Sequence, residues 1–159
     1  MKITILCVGK IKEKFYRDAL AEYEKRLGRY CRLSVCEVED EKTEEHASGA
    51  LAAQIKEREG KRLLRHMQQD AYRIALAVDG KELDSVAFSQ KLEKLCVSGK
   101  SHILFIIGGS LGLHEEVLQA ADEKMSFSKM TFPHQLMRVI LLEQIYRGYR
   151  IINHEPYHK

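Results

Sequence analysis

Apolar positions along this chain alternate between a two-residue and a three-to-four-residue period, and that alternation predicts the fold. In Lys2–Val8 (KITILCV), Ile3, Ile5 and Cys7 fall opposite Thr4 and Leu6, a strand that Gly9 closes. Phe15, Ala19, Tyr23, Leu27 and Tyr30 then recur at helical spacing, predicting an amphipathic helix over Glu13–Tyr30. Leu33–Val38 predicts a second strand, and the acidic stretch Glu39–Ser48 a loop. Leu51, Ile55, Leu63 and Leu64 predict a helix over Ala50–Gln68, with Gly60 as a point of interruption. Tyr72–Val78 (YRIALAV) and Ser101–Ile107 (SHILFII) are almost continuously apolar strands. Asp79-Gly80 signals a turn after the first of these, and Asp84 or Ser85 caps a helix running to about Cys96. GGSLGL at 108–113 follows the second, then a helix over His114–Ala121 and a strand-like run over Met125–Thr131. Pro133 suits the first turn of the last helix, where its missing N–H costs nothing. Thr131 or Phe132 then sits at the helix entry, and Gly148, after Arg147, is the expected stop. Continuous apolar strands alternating with helices mean a parallel sheet covered on both faces, an α/β fold in a single domain over 1–159.

The last helix departs from the pattern of the others. Leu136, Met137, Val139, Ile140, Leu141, Leu142, Ile145 and Tyr146 run most of the way round it. A surface helix shows one apolar stripe, so this one is buried on most sides. Two readings stand: a second subunit covers its far side, giving a homodimer, or it is the central core helix of a monomer.

Composition narrows the class. With 159 residues, 45% hydrophobic and 31% charged, the chain has ordinary globular make-up. No run approaches the roughly 18 consecutive apolar residues of a membrane span, and MKITILCVGK reads as a strand, not a signal peptide. Cys7, Cys31, Cys36 and Cys96 have no CxxC spacing, which points to a reducing, cytoplasmic setting without a disulfide or zinc framework. The net charge of +3 says little, but Lys10–Arg32 holds eight basic residues against four acidic ones, while Glu37–Glu45 holds six acids and one lysine. The basic cluster is a phosphate-binding face or a solvated helix exterior.

In open parallel sheets ligands sit beyond the carboxyl ends of the strands. Three such ends carry candidate residues: Leu76–Gly80, Gly108–Gly112 and Phe127–Phe132. Gly108-Gly109 lets a ligand approach bare backbone, although a structural turn is the stronger reading of a glycine pair alone. GGSLG is neither GxGxxG nor a P-loop, since it has no lysine. His114-Glu115-Glu116 lacks the second histidine of HExxH, GxSxG is missing, and histidines 134, 154 and 158 have no metal-ligand spacing, so no metal is expected. Asp79 and Glu82 read as turn-capping carboxylates. The tail NHEPYHK carries Tyr157 and His158, the latter able to handle a proton near neutral pH if the tail folds over a site; on the residues alone a loose tail is expected.

These motifs together resemble one family. FIIGGSLGL (Phe105–Leu113), FSKMTFPHQL (Phe127–Leu136), LLEQIYR (Leu141–Arg147), terminal Pro156-Tyr157-His158 and the opening ITILCVGKIKEKFYRDALAEYEKRL are similar, at matching spacing over the whole chain, to the RlmH family. Its members are bacterial large-subunit rRNA methyltransferases that act on a pseudouridine. Phe127 departs from the smaller aliphatic residue expected there. The resemblance implies a SPOUT fold with a C-terminal trefoil knot, a homodimer, and S-adenosylmethionine as cofactor. It implies that Leu76, Gly108, Phe127, Ser128, Lys129, Met130, Thr131 and Phe132 line the cofactor pocket. The implied reaction moves a methyl group to N3 of a pseudouridine in 23S rRNA within the ribosome. His158 is then expected as proton acceptor or orienter, Tyr157 as a partner of the base, and Arg138 as support for an anion, or else as a structural ion pair. The rival expectations are a non-enzymatic ribosome-binding factor and a doubly wound nucleotide-binding enzyme.

Overall fold

The computed structural model describes residues 1–159. Five strands, β1 (Lys2–Val8), β2 (Arg32–Val38), β3 (Tyr72–Glu82), β4 (His102–Ile107) and β5 (Glu123–Ser126), form one sheet in the order β2-β1-β4-β3-β5. Every pairing is parallel. Five helices, α1 (Lys14–Leu27), α2 (Gly49–His66), α3 (Ser85–Val97), α4 (Glu115–Ala120) and α5 (His134–Ile152), join or follow the strands. The two faces of the sheet carry separate cores, as the two-residue period requires. Ile3, Ile5, Cys7, Ile103, Phe105 and Ile107 point to one side, where Leu27, Leu92, Leu141 and Ile145 of α1, α3 and α5 meet them. Leu6, Val8, Leu104 and Ile106 point to the other, against Leu63 of α2 and Val117 of α4.

Helix starts follow local chemistry. Ser48 accepts a hydrogen bond from the Leu51 N–H at 3.2 Å and Asp84 accepts one from Ala87 at 2.7 Å, the expected capping geometry for α2 and α3. Gly60 does not interrupt α2.

Three boundaries differ from the pattern-based expectation. Asp79-Gly80 is not a turn: β3 runs through it, with a bulge at which Leu76 and Lys81 both pair with Met125. A side chain on Gly80 would land 2.6–2.8 Å from the Met125 and Lys124 backbone, so the bulge needs glycine. The strand-like run Met125–Thr131 is a strand only as far as Ser126. Beyond it, Ser126 and Ser128 turn the chain: the Ser128 N–H donates to Ser126 Oγ at 3.2 Å and the Met130 N–H to Ser128 Oγ at 2.9 Å. Hydroxyls that satisfy the backbone locally compete with the sheet ladder. Finally, Pro133 is the cap of α5, with no side-chain cap from Thr131, and the helix continues through Gly148 to Ile152. Gly148 is where α5 crosses α3; a Cβ there would sit 3.0 Å from Leu92 Cδ1. Tertiary packing overrides the local stop signal.

Candidate active site

The carboxyl ends of β3, β4 and β5 open onto one cleft of about 110 Å³. Its wall is mainly apolar, with Leu76, Ile107, Met125, Phe127, Phe132 and Met137 around the bare backbone of Gly108. Gly108 leaves β4 directly into a tight loop, in which the Gly112 N–H donates to the Gly109 carbonyl at 3.1 Å. A Cβ on Gly108 would lie 2.8 Å from the Gly112 carbonyl carbon, so here the turn reading of the glycines holds, in the wall of a cleft. Of the eight residues expected around a cofactor, Leu76, Gly108, Phe127, Ser128, Met130, Thr131 and Phe132 line the cleft; Lys129 is exposed and stands outside its wall.

His134, at the start of α5, lines the same cleft and was not singled out from sequence for any role beyond metal ligation. Its Nδ1 is buried without a partner. Burial, and then the Arg138 guanidinium, hold its pKa below the ordinary imidazole value, against the opposite pull of Asp40 and Glu13. The imidazole is therefore neutral at physiological pH. Its signal in the sequence was position: the first residue after the proline that ends the third strand-end segment.

Arg138 is 3% exposed and does not line the cleft. Its guanidinium donates to Glu37 Oε2 at 2.7 Å, to the Val8 carbonyl at 3.3 Å and to the Gly9 carbonyl. It ties α5 to the ends of β1 and β2. Of the two roles weighed for it, the geometry provides the structural ion pair.

The tail is not loose. Tyr157 lies against α5, donating to Glu143 Oε1 at 3.1 Å, with its ring edge-on to Tyr146 at 4.9 Å and Arg147 stacked over it at 4.7 Å. His158 Nδ1 lies 3.3 Å from Arg147. Glu155 receives Arg150 at 2.6 Å and the Tyr30 hydroxyl, and Arg150 also donates to the Pro156 carbonyl at 2.7 Å. Charge-assisted contacts of this kind offset the entropy of ordering seven terminal residues. Burial, and then the Glu143 carboxylate, push the Tyr157 phenol up to about 12, so it is a hydrogen-bond donor and not a base. No residue beyond Met137 lines the cleft of its own chain.

Comparison with known proteins decides what this arrangement belongs to. A family model described as "Predicted SPOUT methyltransferase" matches residues 1–158. The chain belongs to the SPOUT methyltransferases. It is 62% identical over 159 residues, covering both chains fully, to a protein of Bifidobacterium adolescentis named ribosomal RNA large subunit methyltransferase H. It is 55% identical, again over both full lengths, to the protein of that name from Clostridium kluyveri. A Methanococcus maripaludis protein bearing the same name as putative is 57% identical over the full lengths. Within the SPOUT methyltransferases the chain is thus a member of the RlmH family. The structure of a probable methylase family protein from Haemophilus influenzae matches with a TM-score of 0.56 at 13% identity, over 99% of this chain and 70% of that one. That match shows the fold. No group of histidine, cysteine and carboxylate side chains is arranged to hold a metal ion, and no helix is long and apolar enough to cross a membrane.

Proposed function

We propose that this SPOUT methyltransferase takes a methyl group from S-adenosylmethionine and places it on N3 of a pseudouridine in 23S rRNA, on assembled ribosomes in the cytoplasm, as a homodimer. The observation that carries the proposal is the convergence of three strand ends on one cleft, in a chain that matches large-subunit rRNA methyltransferases end to end. The donor set fits the cofactor: apolar walls suit its adenine, and the uncovered backbone at Gly108 and in Ser126–Phe132 offers N–H and C=O groups to its polar edges. S-adenosylmethionine supplies an electrophilic methyl group. The trefoil knot belongs to the same proposal. A cleft walled both by the loop after β4 and by the segment leading into α5 is what a threaded chain would produce.

The chain's own groups must then handle one proton. N3 of the base carries a hydrogen and is a poor nucleophile until it is lost, so the site needs an acceptor and a donor for the imide anion. His158 takes or orients that proton, and the neutral Tyr157 phenol turns its one hydrogen from Glu143 to the base. Arg138 acts at a distance, by positioning α5. The tail is anchored on its own α5 and lines no part of its own cleft, so in a dimer it serves the partner's cleft. Two further features support the dimer. The cleft is open to solvent, and its volume of about 110 Å³ is below the roughly 300 Å³ of a typical ligand pocket, which leaves room for a wall from a second subunit. Leu136, Val139 and Ile140 also form a half-buried apolar stripe on α5, left partly uncovered by the chain itself.

Methyl transfer from labelled S-adenosylmethionine to ribosomes with and without their pseudouridines tests the proposal. Transfer confined to pseudouridylated ribosomes is the expected result; cofactor binding without transfer would redirect it to another RNA, and no binding at all would favour a ribosome-binding factor.

A further inference from the structure

Phe15 is the single exposed phenylalanine of the five, with 66% of its surface in solvent. Burying a phenylalanine ring stabilises a fold, and folding leaves that contribution largely unused here. It does not stand alone. Its centroid is 4.3 Å from that of Tyr16, at a 47° tilt, so two rings project together from the first turn of α1. Around them lie Lys10, Lys12, Lys14 and Arg17 against two acids, Glu13 and Asp18. Lys14 is paired with Asp18 at 2.7 Å, while Lys10, Lys12 and Arg17 are exposed and outside every ion pair. The patch begins one residue after Gly9, whose carbonyl holds Arg138 and whose Cα faces the His134 ring of the cleft.

An exposed ring backed by a half-buried one, among unpaired cations, is what a single-stranded nucleic acid binds: cations track the backbone and the exposed ring accepts base faces, whatever the base. A second copy of the chain fits the patch less well. A two-fold interface centred on the patch would crowd its cations against those of the other copy, whereas the uncharged stripe of α5 has no such conflict. We infer that Phe15 and Tyr16, flanked by Lys10, Lys12 and Arg17, form a stacking platform for an unpaired nucleotide of the substrate RNA next to the one being methylated. The inference rests on the rRNA reading above and identifies which part of the basic face discriminates an unstacked loop from a duplex.

The test uses the full-length dimer in two measurements. The first is binding of a short single-stranded oligoribonucleotide carrying 2-aminopurine, whose fluorescence is quenched by stacking. Wild type is expected to bind with quenching. Phe15→Ala is expected to lose the quench and about tenfold or more in affinity, with Phe15→Trp restoring both. Lys12→Ala is expected to weaken binding while lowering the salt slope by about one and leaving the quench intact. The second is methyl transfer to ribosomes, where Phe15→Ala is expected to raise KM with kcat and S-adenosylmethionine affinity unchanged. An unaltered KM in Phe15→Ala, where wild type does methylate ribosomes, overturns the platform and leaves the proposed reaction standing. An absence of transfer by wild type, with the Phe15-dependent quench intact, overturns the substrate and leaves the platform standing. Conversion of Phe15→Ala to a monomer in sedimentation overturns the platform by making the patch a contact between copies.

Discussion

The cleft and the C-terminal tail are held in opposite ways. The cleft is made of backbone and apolar side chains: glycines that admit no Cβ, a bulge on Met125, and walls from Leu76, Phe127 and Phe132. The tail is made of charge and aromatic edges: Glu143 shared between Arg147 and Tyr157, Glu155 shared between Arg150, Arg29 and Tyr30. Packing of the first kind is short-ranged and insensitive to salt, and suits a site that must keep one shape. Contacts of the second kind are partly buried, with the Arg147–Glu143 and Arg150–Glu155 side chains 18–26% exposed, and they weaken with salt, as suits the segment proposed above to meet RNA. Arg138 stands between the two regions and is the one charge in the middle of α5 that the core buries.

Breaking that connection should have the largest effect. Arg138→Ala leaves Glu37 and two carbonyls without their donor and is expected to lower unfolding free energy by about 3–5 kcal/mol, measured by denaturant titration. A fully stable but inactive Arg138→Ala would instead make it a group that acts on substrate. The two regions then separate cleanly by kinetics. Gly108→Val overfills the turn by about 1–3 kcal/mol and should weaken S-adenosylmethionine binding roughly ten- to hundredfold in calorimetry, with the tail undisturbed. His158→Ala should do the reverse: cofactor affinity unchanged and turnover down about a hundredfold or more. Full turnover in that variant would remove the histidine from the chemistry. Tyr157→Phe removes one hydrogen bond to a carboxylate and should cost a smaller factor, about tenfold in turnover.

The smallest expected effect is on pH dependence. His102 is buried, within 2.9 Å of Thr4 Oγ1, and burial, then the Lys2 charge, lower its pKa. His134 is lowered for the reasons given above. Both are depressed in the folded state below the ordinary value of 6.5, so the unfolded chain binds more protons between the two values. Stability is therefore full above about pH 6.5 and falls as the pH drops below it, by at most about 1.4 kcal/mol per pH unit for each histidine. His102→Gln should remove one of the two contributions from an unfolding titration between pH 7 and pH 5; an unchanged slope would mean that the ring is protonated in the fold.

Much of this molecule was legible in one dimension. The strands β1, β2 and β4 and the helices α1, α2 and α3 lie within a few residues of where periodicity puts them, because a core face repeats every two or every three to four residues. The cleft was legible as well, since a parallel sheet places ligand sites at its carboxyl ends and glycine and proline mark those ends. In Ser126–Thr131 the strand signal loses to a local competitor, the hydroxyls of Ser126 and Ser128. The other misses share a cause. Gly80 and Gly148 each carry a local signal, for a turn and a helix stop, that a distant partner overrules: the Met125 backbone and α3 at Leu92. His134 as a cleft residue and the anchored tail were invisible for the same reason.

By itself, then, the sequence determined the class of fold, the strand ends that open onto the cleft and the family, because these depend on residue period and on motifs a few residues long. Only the tertiary structure decided that Arg138 is a buried tie, that Tyr157 and His158 are held against α5, and that Phe15 stands exposed against a half-buried Tyr16 at the start of α1. Each of those depends on how far a side chain is removed from water and on which group, dozens of residues away, takes the place of that water.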